Sequence, residues 1–318
     1  MFKFQFLYNS LQNYPSCHAG TIVQLQSGGF LAAFYAGTHE GHEDVAIFLS
    51  RTKSLSESWS EPELIINTPG KSEGNPVLWV NSQGRISLFY VTQQRHGWDY
   101  VLMYDIFSED EGHTWSAPRL FSADEGWMVK NKPIRLRSGR MVLPCYDEIH
   151  WDSFCLVSDD DGDTWRRTGL ITGAVDNIQP TLLERADGSL IALLRSGPDR
   201  PKDRLIFQSV STDAGETWST IEPTELPNPN AGCDLVGLQS GAVALAFNDT
   251  PDSRTPLSIG YSTDECKTWP IRKPLENEPG EYSYPAIIQD REGLIHCLYT
   301  WNRTHMKHVI FDENWINE

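Results

Sequence analysis

The sequence predicts an all-β protein: a six-bladed β-propeller with four antiparallel strands in each blade. Two interleaved repeats carry this prediction. A short turn motif begins at positions 52, 108, 158, 211 and 262, and a glycine-centred hairpin recurs at a similar spacing. A period of about fifty residues is too long for one hairpin and suits four short strands, as in a propeller blade. We therefore expect residues 1–318 to form one domain.

The turn motif has the pattern S-x-D-x-G-x-T-W. Its copies are SEDEGHTW at 108–115, SDDDGDTW at 158–165, STDAGETW at 211–218 and STDECKTW at 262–269, with a degenerate TKSLSESW at 52–59. Such an aspartate can accept backbone N–H groups, the glycine supplies a positive φ, and the tryptophan can fill space between sheets. We interpret the aspartates as structural and expect Cys266, which replaces the glycine, to strain its turn.

The second repeat is an apolar strand, a turn with glycine and another apolar strand. The turn glycines are Gly28, Gly84, Gly139, Gly188, Gly241 and Gly293. Six hairpins predict six blades. Propellers commonly close by pairing the N-terminal segment with the last blade, so we expect residues 2–8 to pair with 307–311.

Composition and charge exclude several classes of function. The chain has 43 acidic and 26 basic residues and a formal net charge of −17, which repels nucleic acid and anionic membrane surfaces. The sequence has neither a membrane-spanning apolar run nor a signal-peptide pattern, so a cytoplasmic location is expected. The six cysteines are scattered without CxxC spacing, and we predict reduced thiols, no metal site and no cofactor.

Polar residues at the starts of the inner strands should converge on the mouth of the central channel. Aligning these starts on a small residue or proline gives the candidate lining His18, Asn75, Lys132, Gln179, Asp234 and Tyr282 or Tyr284. Lys130 lies in the same segment as Lys132 and adds positive charge. The sequence therefore predicts a polar pocket at the mouth.

Three segments resemble the sialidase (neuraminidase) superfamily with its BNR, or Asp-box, repeats. They are QPTLLERADGSLIALLRS at 179–196, FNDTPDSRTPL at 247–257 and EYSYP at 281–285. The resemblance implies that Arg195 and Arg254 bind a substrate carboxylate, a task that suits the planar guanidinium. It also implies that Tyr282 is the nucleophile of a glycosidase.

The chain departs from the sialidase pattern at three positions. His18 stands where the first arginine of the carboxylate-binding triad is expected, and Asn177 where the glutamate that activates the tyrosine is expected. The acid/base aspartate falls in GTHEGHED at 37–44, where Glu40, Glu43 or Asp44 could serve. Because the ordinary pKa of a histidine is near neutrality, His18 could take a proton instead.

These features predict a carbohydrate-active enzyme, a glycoside hydrolase of the exo-sialidase type acting on an acidic sugar. One alternative is a lyase acting on uronic-acid glycosides. Others are a non-catalytic glycan-binding propeller and a propeller repurposed for a small metabolite. In each case the expected partner is a small molecule or oligosaccharide, preferably anionic, and neither nucleic acid nor a membrane.

Overall fold

A computed structural model describes residues 1–197 and 204–318. Within these ranges the chain forms six small antiparallel sheets arranged as a six-bladed β-propeller, so the predicted fold class is confirmed. Among the described residues, helix is limited to a 3₁₀ turn at Trp98–Tyr100 and the short α1 at Glu313–Asn317. No helix in the described ranges is long and apolar enough to cross a membrane.

The first three blades run from an inner strand at the channel to an outer strand at the rim. Blade one is β2 (Ser16–Gln24), β3 (Phe30–Gly37), β4 (Ala46–Thr52) and β5 (Glu63–Ile66). Blade two is β6 (Glu73–Val80), β7 (Ile86–Gln93), β8 (Val101–Ser108) and β9 (Arg119–Ser122). Blade three has a divided inner strand, β10 (Trp127–Val129) and β11 (Ile134–Arg135), then β12 (Met141–Asp147), β13 (Ser153–Ser158) and β14 (Arg166–Ile171).

The other three blades follow the same order. Blade four is β15 (Asn177–Glu184), β16 (Leu190–Ser196), β17 (Leu205–Ser211) and β18 (Glu222–Pro227). Blade five is β19 (Asp234–Gly237), β20 (Val243–Phe247), β21 (Leu257–Ser262) and β22 (Ile271–Glu276). Blade six is β23 (Tyr282–Gln289), β24 (Ile295–Trp301), β25 (His305–Phe311) and β1 (Phe2–Phe6).

The propeller closes through the N-terminal strand, as the sequence predicts. Strand β1 supplies the outer strand of blade six and pairs antiparallel with β25, with Phe2 opposite Phe311 and Phe6 opposite Lys307. Blade six is therefore built from both ends of the described chain. This pairing brings blade six beside blade one.

The repeated turn motif forms the hydrogen bonds that its residue types predict. In the first full copy, Asp110 accepts from the Thr114 N–H at 2.8 Å and from the Thr114 hydroxyl at 2.6 Å. The same pair of bonds holds Asp160, where bonds from Thr164 lower the pKa of the carboxyl to about 2. Cys266 adopts a φ of 71°, the left-handed conformation expected at the glycine position.

The motif tryptophans differ in burial. Trp269 and the degenerate copy's Trp59 are 3% and 7% exposed. The remaining three, Trp115, Trp165 and Trp218, are only partly buried and pack along the edges of the core clusters. Of the four full copies, Trp269 fills space inside the core as its motif predicts, and the other three tryptophans pack at the core's edges.

Four inner strands share a two-residue bulge that shapes the channel. The pairing register shifts after His18, Gly74, Ile178 and Ser283. The next residue in each case has a positive φ: Ala19, Asn75, Gln179 and Tyr284. A bulge re-aims a side chain relative to the regular alternation of a strand. Here each of these four residues lies nine positions before its hairpin glycine.

Replacing Trp269 with alanine should lower the free energy of unfolding by about 3–5 kcal/mol, because the change leaves a cavity between sheets. Leu120→Ala, at a side chain that is 47% exposed, serves as the control and should have little effect. Equilibrium denaturation of the two variants measures both values. Equal losses would contradict the assignment of Trp269 to the core.

Candidate active site

A cavity of about 360 Å³ opens where the inner ends of the blades meet, and all six blades contribute to it. Of the residues singled out in the sequence, the lining includes Asn75, Gln179, Arg195, Arg254 and Tyr284 together with the alternative acid/base residue Glu40. Other polar and aromatic lining residues were not anticipated: Trp98, Tyr146, Glu148, Trp151, Asn230 and Arg303.

Tyr284 lies at the centre of the cavity's polar groups. The bulge in β23 places this residue at a φ of 52°. Its hydroxyl oxygen accepts hydrogen bonds from Gln179 Nε2 at 3.0 Å and from Arg195 Nη2 at 3.1 Å. Two donors on the oxygen leave the phenol's own proton free to be donated or transferred.

Two guanidinium groups lie close to this tyrosine, and a third lines the same cavity. The Cζ atoms of Arg195 and Arg254 lie 5.7 and 5.6 Å from the centre of the Tyr284 ring. Arg303 lines the same cavity from the turn between β24 and β25. Arginine residues from blades four, five and six thus form one cationic cluster, although the protein as a whole is strongly acidic.

Two carboxylates hold the arginines in place. Glu281 Oε1 accepts from Arg254 Nη1 at 2.8 Å and from Arg303 Nε at 2.7 Å. Glu40 accepts from Arg303 Nη1 at 2.5 Å. The pKa of Glu281 is lowered from its ordinary value. Burial alone would raise this pKa, but the hydrogen bond and charge of Arg303, followed by the charge of Arg254, outweigh that effect. Arg195 is instead bound to Asn230, through its carbonyl at 2.7 Å and its side chain at 3.2 Å.

His18 lies against Tyr284 and outside the cavity lining. The two ring centres are 4.1 Å apart, and His18 Nδ1 is 2.8 Å from the Thr300 hydroxyl. Its Nε2 atom is buried without a hydrogen-bond partner among the described residues. Burial, followed by the positive charges of Arg303 and other cations, lowers the pKa of His18 well below its ordinary value. The imidazole is therefore neutral at physiological pH.

Glu148 lines the cavity from the loop after β12. No described side chain hydrogen-bonds or ion-pairs with its carboxyl group. Burial is the main cause that raises the pKa of Glu148 to about 7, and Arg195 only partly opposes it. The cavity therefore contains a carboxyl group that changes charge near neutral pH.

Two tryptophans form aromatic walls. Trp98 packs against Gly74 so closely that a Cβ on that glycine would lie 2.7 Å from the ring. Trp151 lies beside Gly197 in the same way, because a Cβ on Gly197 would lie 3.3 Å from the Trp151 ring. Aromatic faces of this kind offer stacking surfaces for the apolar faces of ring-shaped ligands.

Tyr282, the expected nucleophile, lies outside the cavity, and Tyr284 lines the cavity in its place. Tyr282 is buried in the core cluster of blades five and six, with its ring 6.4 Å from that of Trp301. The two residues belong to one strand, but the bulge that follows Ser283 sends only Tyr284 toward the cavity. The sequence contained a signal that Tyr284, and not Tyr282, is the equivalent of Gln179. Both Tyr284 and Gln179 lie nine residues before the glycine of their hairpin.

Lys132, Asp234 and Lys130 were expected in the lining but serve as structural links. Lys132 Nζ donates to Asp234 Oδ2 at 2.7 Å, and the same carboxylate accepts from Thr181 of blade four and Ile287 of blade six. Lys130 is buried and donates to the Pro285 carbonyl at 2.5 Å. Burial lowers the pKa of Lys130 to about 8. These residues join blades across the channel.

The remaining candidates also lie outside the lining. Asn177 is fully buried and donates to the Ile171 carbonyl at 2.9 Å. Asp44 accepts from the Thr38 N–H and hydroxyl at 3.0 and 2.6 Å, which orders the loop after β3. Glu43 is exposed on that loop. Of the three acidic candidates in this loop, only Glu40 reaches the cavity.

Arg303 was missed because its turn has an unusual residue. Asn302 and Arg303 have φ values of 52° and 58°, and Thr304 N–H donates to the Trp301 carbonyl, which defines a type I′ turn. Glycine is favoured at the second of these positions. An arginine there accepts backbone strain, and strain of this kind clusters at functional sites. The signal available in the sequence was an arginine at position 303, in a short connection where glycine would be favoured.

The described residues contain no group of three His, Cys, Asp or Glu side chains arranged to hold a metal ion. All six cysteines are free and buried.

Comparison with known proteins gives the family. Residues 28–297 match the model of the BNR repeat-like domain. The sialidase of Micromonospora viridifaciens is 24% identical over 97% of this chain, and the chain spans only 53% of that protein. In fold, the chain is similar to a protein of unknown function from Dyadobacter fermentans, with a TM-score of 0.81, 17% identity and coverage of 97% and 98% of the two chains.

A second solved structure extends the comparison to a ligand-bound protein. The intramolecular trans-sialidase of Ruminococcus gnavus, in complex with oseltamivir carboxylate, matches with a TM-score of 0.78 and 15% identity over 96% of both chains. The family match covers most of the chain, and the chain belongs to the BNR repeat-like family within the sialidase-like superfamily.

Proposed function

We propose that this protein is a glycoside hydrolase that acts on an acidic sugar, with the sugar carboxylate at the arginine cluster and Tyr284 as the nucleophile. The observation that carries the proposal is the gathering of Arg195, Arg254 and Arg303 around one tyrosine in one cavity. The sialidase of M. viridifaciens and the oseltamivir carboxylate bound by the R. gnavus enzyme support it.

The arginine cluster is suited to a carboxylate ligand. Guanidinium groups present paired N–H donors that match the two oxygens of a carboxylate. Glu281 binds one nitrogen of Arg254 and one of Arg303, which fixes their orientation without using all their donors. Arg303 also compensates for the missing arginine of blade one, because its carbonyl accepts from Cys17 N–H at 2.8 Å, beside His18.

Tyr284 is the side chain placed to react with the sugar. In the proposed step, its oxygen bonds to the anomeric carbon as the bond to the leaving oxygen breaks. A neutral phenol avoids the repulsion that a carboxylate nucleophile would meet from an anionic sugar. Arg195 and Gln179 donate to the phenol oxygen and stabilise charge that develops on it.

The proton of Tyr284 has no acceptor at Asn177, the position where the sialidase pattern has glutamate, because Asn177 is buried and its amide donates to the Ile171 carbonyl. The structure puts Gln179 in contact with the phenol oxygen, and an amide cannot accept this proton. His18 packs on the ring, but its lowered pKa makes it a weak base. We therefore assign His18 to support of the Tyr284 ring.

Elimination from a uronic-acid glycoside is the second candidate. In this reaction the Tyr284 oxygen, which accepts a hydrogen bond from Arg195 at 3.1 Å, abstracts a proton next to a carboxylate held by the other arginines. Hydrolysis yields a reducing sugar without a new double bond, and elimination yields an unsaturated, ultraviolet-absorbing product. Product analysis on sialosides and uronic-acid glycosides separates the two reactions.

Tyr284→Phe should reduce kcat by about 10²–10⁴-fold or more on an acidic glycoside that the wild type cleaves, because the variant keeps the ring and loses the reacting hydroxyl. Tyr282→Phe is the matched control, since it removes the same atom two residues away in the same strand. Steady-state kinetics should show near-wild-type turnover for the control. A larger loss in Tyr282→Phe than in Tyr284→Phe would reverse the assignment.

Arg303→Lys should weaken binding of a sugar acid by about 10–100-fold, because one charge-assisted hydrogen bond contributes about 1.5–3 kcal/mol. Titration calorimetry with the acid and its neutral methyl ester measures the effect. Wild type should prefer the acid, and the variant should lose most of that preference. Arg166→Lys, at an exposed arginine on β14, is the control. An unchanged preference in Arg303→Lys would remove Arg303 from the anion site.

A further inference from the structure

Four buried polar side chains form a continuous hydrogen-bond network between blade six and blade one, where the propeller closes. Trp59 Nε1 donates to His308 Nδ1 at 3.3 Å. His308 Nε2 lies 3.0 Å from His296 Nδ1, and His296 Nε2 lies 3.0 Å from Asp290 Oδ2. Asp290 Oδ1 accepts from Leu294 N–H at 2.7 Å. We call Trp59, His308, His296 and Asp290 the closure network, and all four side chains are buried.

The closure network joins parts of the chain that only the closed propeller brings together. Trp59 lies in the loop after β4 of blade one, and His308 lies on β25 of blade six, 249 residues away. His296 lies on β24 and Asp290 on the turn after β23. The His296 ring also stacks on Phe30 of blade one, with ring centres 4.4 Å apart. The network therefore belongs to the contact that closes the ring of blades.

Trp59 comes from the degenerate copy of the turn motif, which has lost the aspartate and the glycine but keeps the tryptophan. In two of the full copies, Nε1 of Trp115 and of Trp218 is buried without a hydrogen-bond partner among the described residues. In a third, Trp165 Nε1 donates to the Gly162 carbonyl of its own turn. The indole of Trp59 instead donates to a side chain of another blade, so it has a task that these three tryptophans do not have.

The hydrogen bonds of the closure network run in one direction. An indole N–H can only donate, so His308 Nδ1 accepts and the proton of this imidazole is on Nε2. That proton is donated to His296 Nδ1, and His296 Nε2–H is donated to the Asp290 carboxylate. A second proton on either imidazole would point at an N–H group. The network is therefore complete only while both histidines are neutral.

The charged groups that act on the two imidazoles lie on blade six. Asp290 and Glu292, on the turn between β23 and β24, favour protonation of His296, but burial outweighs them and lowers its pKa. Burial, followed by the charge of His296, lowers the pKa of His308 well below its ordinary value.

The other elements that face the two rings present uncharged side chains. Blade one presents Phe30 to His296, and β23 places Ile288 opposite the same residue. Strand β1 places Gln5 opposite His308. None of these three side chains can neutralise a second positive charge on the rings.

We propose that the closure network makes the closure of the propeller acid-sensitive, because a proton taken up by either imidazole breaks the network and weakens the contact between blades six and one. An unfolded histidine takes up a proton near about pH 6.5, whereas these two stay neutral in the fold. The stability that they contribute is therefore complete above about pH 6.5 and is lost as the pH falls below it. This property requires no substrate and is independent of the proposed function.

The same contact between blades carries part of the candidate site. His18 Nδ1 lies 2.8 Å from the Thr300 hydroxyl of β24, and Cys17 N–H donates to the Arg303 carbonyl at 2.8 Å. Weakening of the closure would therefore reach the arginine cluster from the side of Arg303.

Hydrogen exchange of the wild-type full chain at pH 5.5 and pH 7.5 tests this directly, after correction for the intrinsic pH dependence of exchange. The amides of β1 and β25 should lose about 10–100-fold of their protection at pH 5.5, because each histidine that is protonated on opening contributes up to about tenfold per pH unit below 6.5. The amides of β12 and β13 in blade three should lose much less. No loss in β1 and β25, or an equal loss in all blades, would overturn the proposal.

The double variant with His296→Gln and His308→Gln removes both titrating rings, and its β1 and β25 amides should show no specific loss at pH 5.5. His96→Gln, at an exposed histidine, is the matched control and should behave like the wild type. A specific loss that persists in the double variant would overturn the role of the network.

Nitrogen-15 spectra of the wild type at pH 7.5 give a test that does not depend on the folding of any variant. Both imidazoles should carry their proton on Nε2, as the donor-only indole of Trp59 requires. A proton on Nδ1 of His308 or His296 would contradict the direction of the network and overturn the proposal.

Discussion

The bulge in the inner strands determines which side chains reach the centre of the propeller. At Asn75, Gln179 and Tyr284 the chain enters a left-handed conformation and skips two residues of pairing. A regular strand would send alternate residues to opposite faces. The bulge instead brings these side chains together, with Tyr146 hydrogen-bonded to both Asn75 and Gln179. The arrangement of side chains around Tyr284 depends on this repeated irregularity.

The proposed selectivity of the cavity for acidic ligands depends on electrostatics. The net charge of −17 gives no general attraction for anions, so an anionic ligand depends on local cations. Glu281 and Glu40 neutralise part of the arginine cluster, yet they also hold Arg254 and Arg303 at the cavity. A ligand carboxylate completes this arrangement, because guanidinium donors aimed at the cavity would otherwise face only water.

Much of the fold could be predicted from the sequence, but only part of the site. Turn chemistry and period are local properties, and they correctly predicted six blades and closure through β1. The site depends on where strands lose their regular alternation, so Tyr282 was chosen in place of Tyr284. Lys132 and Asp234 were expected in the lining. They form an ion pair with each other instead, and this pairing could not be seen in the sequence. Glu148 lies in a loop without a repeat, and no spacing rule pointed to it.

A crystal structure with a bound sugar acid tests the central claim most directly. The account predicts that the ligand occupies the cavity with its carboxylate on the guanidinium groups of Arg254 and Arg303, and that its anomeric carbon faces the Tyr284 oxygen. A sugar acid bound outside the cavity, or with its carboxylate turned away from the arginines, would contradict the account.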